Sequence, residues 1–108
     1  MHIEFLYFSD CPSHDDALQR LRDVMAEEDV ATDVTIISVE TDEAAQTHQF
    51  IGSPTIRING ADIVPSPEQS YNLACRVYQW DDGRYSPIPS PDMIRRALQQ
   101  AKQETKQA

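Results

Sequence analysis

Ile3-Glu4-Phe5-Leu6-Tyr7-Phe8-Ser9-Asp10-Cys11-Pro12-Ser13-His14 is the stretch on which the fold is decided. From Ile3 to Phe8 it is nearly continuously apolar and rich in aromatics, the pattern of a strand buried on both faces. Ser9-Asp10-Cys11-Pro12 breaks that strand. Pro12 suits a first helical turn, where its missing N–H costs nothing. Ala17, Leu18, Leu21, Val24 and Met25 then recur at helical spacing, which predicts a helix from Pro12 to Glu28.

Working outward, Val34 to Val39 reads as a second strand, rich in β-branched residues. Thr41 is suited to cap the next helix, with Asp42 and Glu43 complementing its dipole. That helix is expected to end near Phe50, with Gly52 as its stop. Pro54 to Ile58 reads as a third strand, Asn59-Gly60 as a tight hairpin turn, and Ala61 to Val64 as the returning strand. Pro65 to Asn72 is polar and loop-like, and Leu73 to Trp80 reads as a strand turning at Asp81-Asp82-Gly83. Arg84 to Pro89 reads as extended chain, since Pro87 and Pro89 cannot donate to a ladder. Ser90-Pro91 then opens a last helix with the stripe Ile94, Ala97, Leu98, Ala101.

The order is thus β-α-β-α-β-β, an inserted segment at 65–89, then α. The first two strands, joined by a helical crossover, must be parallel, whereas the Asn-Gly hairpin is antiparallel. The expectation is an α/β protein with a mixed central sheet covered by helices. It forms one domain over 1–104 with a flexible tail at 105–108.

The 108 residues bury one core and are ordinary in composition, 40% hydrophobic and 25% charged. Eighteen acidic against nine basic side chains give a net charge of −9. Such a surface repels phosphate backbones and anionic bilayers, so nucleic acid and membrane are not expected partners. No run approaches the ~20 apolar residues of a membrane span, and the short run Ile3 to Phe8 has no basic n-region before it, so a cytoplasmic chain is expected. The two cysteines, Cys11 and Cys75, are too few for a secreted disulfide scaffold. In a reducing compartment the expectation is a reactive, ligating or inert thiol rather than a structural bridge.

Two local motifs give the chain a family resemblance. Phe8-Ser9-Asp10-Cys11-Pro12-Ser13-His14 places a cysteine between first strand and first helix, and Gly52-Ser53-Pro54-Thr55 directly precedes the third strand. Together with the element order they resemble the thioredoxin-like superfamily over residues 2–64 and 90–102. The resemblance implies a three-layer sandwich with an insertion before the last helix. It also implies a cis-proline at Pro54 that faces the active cysteine. Ile56-Arg57-Ile58-Asn59-Gly60 is similar to the glutaredoxin form of the hairpin. More narrowly, the Ser-Pro-Thr-hydrophobic-Arg pattern and the later Cys75-Arg76-Val77-Tyr78 resemble a group of small prokaryotic thioredoxin-family proteins sometimes labelled alkylmercury-lyase-like. The chain departs from the family in having His14 where Cys-x-x-Cys places its second thiol. It also has Phe5 where thioredoxins keep a buried acid.

The expected chemistry centres on Cys11. At the N-cap of a helix beginning at Pro12, its sulfur would accept from the N–H groups of Ser13 and His14, favouring thiolate. Asp10, Asp15 and Asp16 oppose this. The bland reading is a small apolar filler. With no second thiol in the motif, three routes stay open. Cys11 works alone with a small thiol resolving it, Cys75 resolves it if the insertion folds back, or Cys11, His14 and Cys75 hold a soft metal or organomercurial. Cys75 beside Leu73 and Val77 also reads as buried packing. The catalytic candidates are therefore Cys11, His14 and Cys75. Pro12, Ser53, Pro54 and Thr55 are candidates for a substrate platform, on which the Ser53 backbone pairs with an extended peptide by strand addition. No cofactor and no resident metal are expected. The expected partner is a small thiol, or a protein bearing a thiol or disulfide; a non-catalytic partner-binding module is the remaining alternative.

Overall fold

Strict alternation along the first strand distributes its side chains to two cores. In the computed structural model, which describes residues 1–65 and 71–107, this strand is β1 (Ile3–Tyr7). Ile3 and Phe5 pack with Ala17, Leu21, Val24 and Met25 of α1 (His14–Glu27) and with Ile94, Leu98 and Ala101 of α3 (Pro91–Gln107). Leu6 points to the opposite face and packs with Val39, Phe50 and Ala45 of α2 (Asp42–Thr47). A strand buried on both sides is the outcome its continuous apolar run requires.

The remaining strands are β2 (Val34–Ser38), β3 (Thr55–Ile58) and β4 (Ala61–Asp62), arranged β2-β1-β3-β4. β1 and β2 are parallel with Phe5 opposite Ile36, and β1 and β3 antiparallel with Phe5 opposite Ile56. The described residues form a mixed α/β structure with a four-stranded mixed sheet and three helices. Asn59 and Gly60 carry φ of 53° and 86°, the doubly positive pair that a two-residue hairpin turn needs.

Several boundaries differ from those read in the sequence, each for a local reason. α1 starts at His14 and not at Pro12, because a turn in which the Cys11 N–H donates to the Phe8 carbonyl (3.0 Å) intervenes. α2 ends at Thr47. Its stop is Gln49, at φ 52°, and the Phe50 N–H returns to the Ala45 carbonyl at 2.8 Å. Gly52 therefore has another task. β4 ends at Asp62 because that side chain accepts from the Val64 N–H (2.9 Å) and turns the backbone out of the ladder.

Of the strand expected over Leu73–Trp80, only β5 (Tyr78–Gln79) forms, paired with β6 (Tyr85–Ser86) as a separate two-stranded ribbon. Upstream of it, Cys75 makes an isolated parallel bridge with Ser53. Part of the loop expected over Pro65–Asn72 falls on 66–70, outside the described residues, as does Ala108 of the expected tail. α3 begins as expected: the Ser90 hydroxyl accepts from the Met93 N–H at 3.2 Å.

Candidate functional site

The site forms where three chain segments meet at the end of β1. The first is the turn 8–11. Its Ser9 N–H and hydroxyl both donate to the Glu40 carboxylate, at 3.1 and 2.5 Å, and the Ser38 hydroxyl donates to the same carboxylate at 2.6 Å. These donors hold the Glu40 carboxyl below the ordinary range, the Ser38 contribution being largest. The second segment is the turn Gly52-Ser53-Pro54, whose Ser53–Pro54 peptide is cis. The Ser53 hydroxyl accepts from the Phe8 N–H at 2.9 Å, so the two turns are tied directly.

The third segment lies between β4 and β5. Residues 74–76 lie along the second turn. The Ser53 N–H donates to the Ala74 carbonyl and the Arg76 N–H to the Ser53 carbonyl, both at 2.8 Å. This strap fills the backbone edge that the sequence reading reserves for an extended peptide. Ser53, Pro54 and Thr55 are all buried, whereas Pro12 is exposed. At the centre of the strap, Cys75 is disulfide-bonded to Cys11, 64 positions away in sequence, with Cα atoms 5.8 Å apart. That separation lies inside the ~7 Å limit for an unstrained bridge.

Two expectations are corrected here. Cys11 is not an N-cap, since it lies two residues ahead of the cap position Ser13; it is fully buried, and no thiolate is held there by the Ser13 and His14 amides. Nor are the cysteines free thiols. The pairing follows from the strap's bridge to Ser53, a contact that no local reading of either cysteine contains. His14 opens α1 with its ring 4.6 Å from that of Tyr7 and its Nδ1 3.2 Å from the Asp15 carboxylate.

Residues the sequence reading left without a role hold the strap in place. The Arg76 guanidinium, only 9% exposed, donates to Asp62 at 2.7 Å and to the Val64 carbonyl at 2.5 Å. It lies 4.5 Å from the centre of the Tyr78 ring and 3.5 Å from the Thr55 hydroxyl. Tyr78 is buried and donates to the Pro54 carbonyl at 2.6 Å; burial pushes its phenol well above the ordinary range. Gly52, at φ 151°, faces the strap closely, for a Cβ there would lie 3.0 Å from the Arg76 Cβ. Beyond β5, Trp80 donates to the Ile88 carbonyl at 3.0 Å and has the Arg20 guanidinium 5.6 Å from its ring centre, which ties the ribbon to α1. The Cys75-Arg76-Val77-Tyr78 pattern was the available sequence signal for this set.

Among the described residues no group of three or more His, Cys, Asp or Glu side chains is placed to hold a metal ion, and no helix is long and apolar enough to cross a membrane. No protein-family model, curated protein or solved structure matches this chain.

Proposed function

We propose that this chain is a thioredoxin-like thiol–disulfide oxidoreductase whose redox couple is Cys11 and Cys75. The observation that carries the reading is the bond between these two sulfurs across the Ser53–Pro54 turn. Helices α1 and α3 on one face of a mixed sheet and α2 on the other support the three-layer form of that fold. Cys75 takes the part of the resolving thiol that the Cys-x-x-His motif lacks.

The chemistry balances as two exchanges. A thiolate of the partner attacks one sulfur of the bridge, forms a mixed disulfide and releases the other cysteine as thiolate. A second partner thiolate then displaces the remaining cysteine, leaving the protein as dithiol and the partner as disulfide. In reverse, a disulfide-bearing substrate is reduced while the bridge re-forms. The partner is a small thiol or a protein bearing a thiol or disulfide.

Reduction of a glutathione mixed disulfide, or of insulin, by the intact chain with glutathione as electron source tests this. Turnover is expected for the native chain, none for Cys11→Ser, and accumulation of a mixed disulfide on Cys11 for Cys75→Ser. Native turnover in Cys75→Ser would restore the single-thiol route, and native turnover in Cys11→Ser would remove the reading altogether.

A further inference from the structure

We infer that Arg76 is the positioning residue of the couple, because its side chain holds the strap against the Ser53–Pro54 turn and so keeps Cys75 at Cys11 when the bond between them is open. The inference rests on the redox reading above and names the residue that regulates its equilibrium.

When the bridge is reduced, two backbone hydrogen bonds to Ser53 and the contacts of Arg76 and Tyr78 remain to keep residues 74–78 in place. Two neutral backbone bonds are modest holders, since each replaces a bond the open chain would make to water. Arg76 is different in kind. Its guanidinium is almost wholly enclosed, forms a charge-assisted bond to Asp62 and a second bond to the Val64 carbonyl, and is covered by the Tyr78 ring. The acceptor is itself fixed, because the other Asp62 oxygen takes the Val64 N–H at 2.9 Å. Arg76 lies over Gly52, where a Cβ would stand 3.0 Å from the Arg76 Cβ and 3.4 Å from its Cα.

Arg76 is also the residue next to Cys75, so fixing its side chain fixes the thiol's position within one residue. The equilibrium of bridge plus two reduced glutathione with dithiol plus oxidised glutathione measures how concentrated the two thiols are at each other. That effective concentration scales with the fraction of reduced molecules whose strap is docked. Arg76 therefore biases the couple toward disulfide without touching either sulfur.

The test equilibrates the full chain and its variants in graded mixtures of reduced and oxidised glutathione, quenches with acid, and counts alkylated thiols by mass. Arg76→Gln is expected to lower the effective concentration about tenfold or more. Arg76→Lys, which keeps the charge but not the planar fork, is expected to fall between it and the native chain. Asp62→Asn removes the charged acceptor and shifts the equilibrium the same way, and it decides the matter if Arg76→Gln does not fold. Val77→Ala, at a position 62% exposed, is the unchanged control. A general structural role would lower the unfolding midpoint and leave this equilibrium where it was. Folded Arg76→Gln and Asp62→Asn both within about twofold of the native chain overturn the inference while leaving the couple standing. A native chain that forms no bridge in any mixture overturns the couple, and this assignment with it.

Discussion

Gly52 is set against Arg76 by two independent constraints, a φ of 151° and a Cβ position 3.0 Å from the Arg76 Cβ. Alanine there meets both at once, so Gly52→Ala is expected to cost about 1–3 kcal/mol in chemical denaturation, with the larger value if the strap cannot yield. Glu40 acts through charge. Its carboxyl is held below the ordinary value, so its contribution is complete above the ordinary carboxylate range and is lost as pH falls through the lowered folded value. The gap in unfolding midpoint between the native chain and Glu40→Gln is therefore expected at about pH 7 and should close as the pH falls through the lowered carboxyl value. At this scale the cis bond at Pro54 was legible, because a proline before a strand leaves a local mark, whereas the N-cap position expected for Cys11 was not what formed. Arg76 and Asp62 were not legible, since 14 residues separate them and only the hairpin and the strap bring them together.

Elements were legible wherever one rule acted alone. The apolar period of α1 and α3, the caps at Thr41 and Ser90 and the Asn59-Gly60 turn all appear as expected. Boundaries failed where a side chain competed with the ladder or helix. Asp62 cut β4 short, and Gln49 ended α2 in a conformation usually left to glycine or asparagine. The Leu73–Trp80 run has strand composition but became a strap, because its hydrogen bonds go to Ser53 and its arginine to Asp62. Ser90 caps α3 from a buried position, so Ser90→Ala is expected to lose about 1–2 kcal/mol in a denaturant titration. Thr41→Ala, at an exposed cap, should lose about half of that.

Across the whole molecule, the disulfide joins the turn after β1 to the 74–76 strap and closes a loop with a sequence separation of 64. By the chain-entropy argument a loop of that length stabilises the fold by about 4 kcal/mol, so reduction with dithiothreitol is expected to lower the unfolding free energy by up to that amount. The two cores on either face of the sheet do not depend on the bridge, and the reduced chain should keep its native far-ultraviolet circular dichroism. The proposed couple requires Cys11 and Cys75 to be the bonded pair, and peptide mapping without reduction reads that pairing most directly. After equilibration with oxidised glutathione, alkylation and trypsin digestion, the predicted species is peptide 1–20 joined to peptide 58–76, and dithiothreitol should separate the two. Recovery of both peptides carrying the alkyl label, with no joined species, would contradict it.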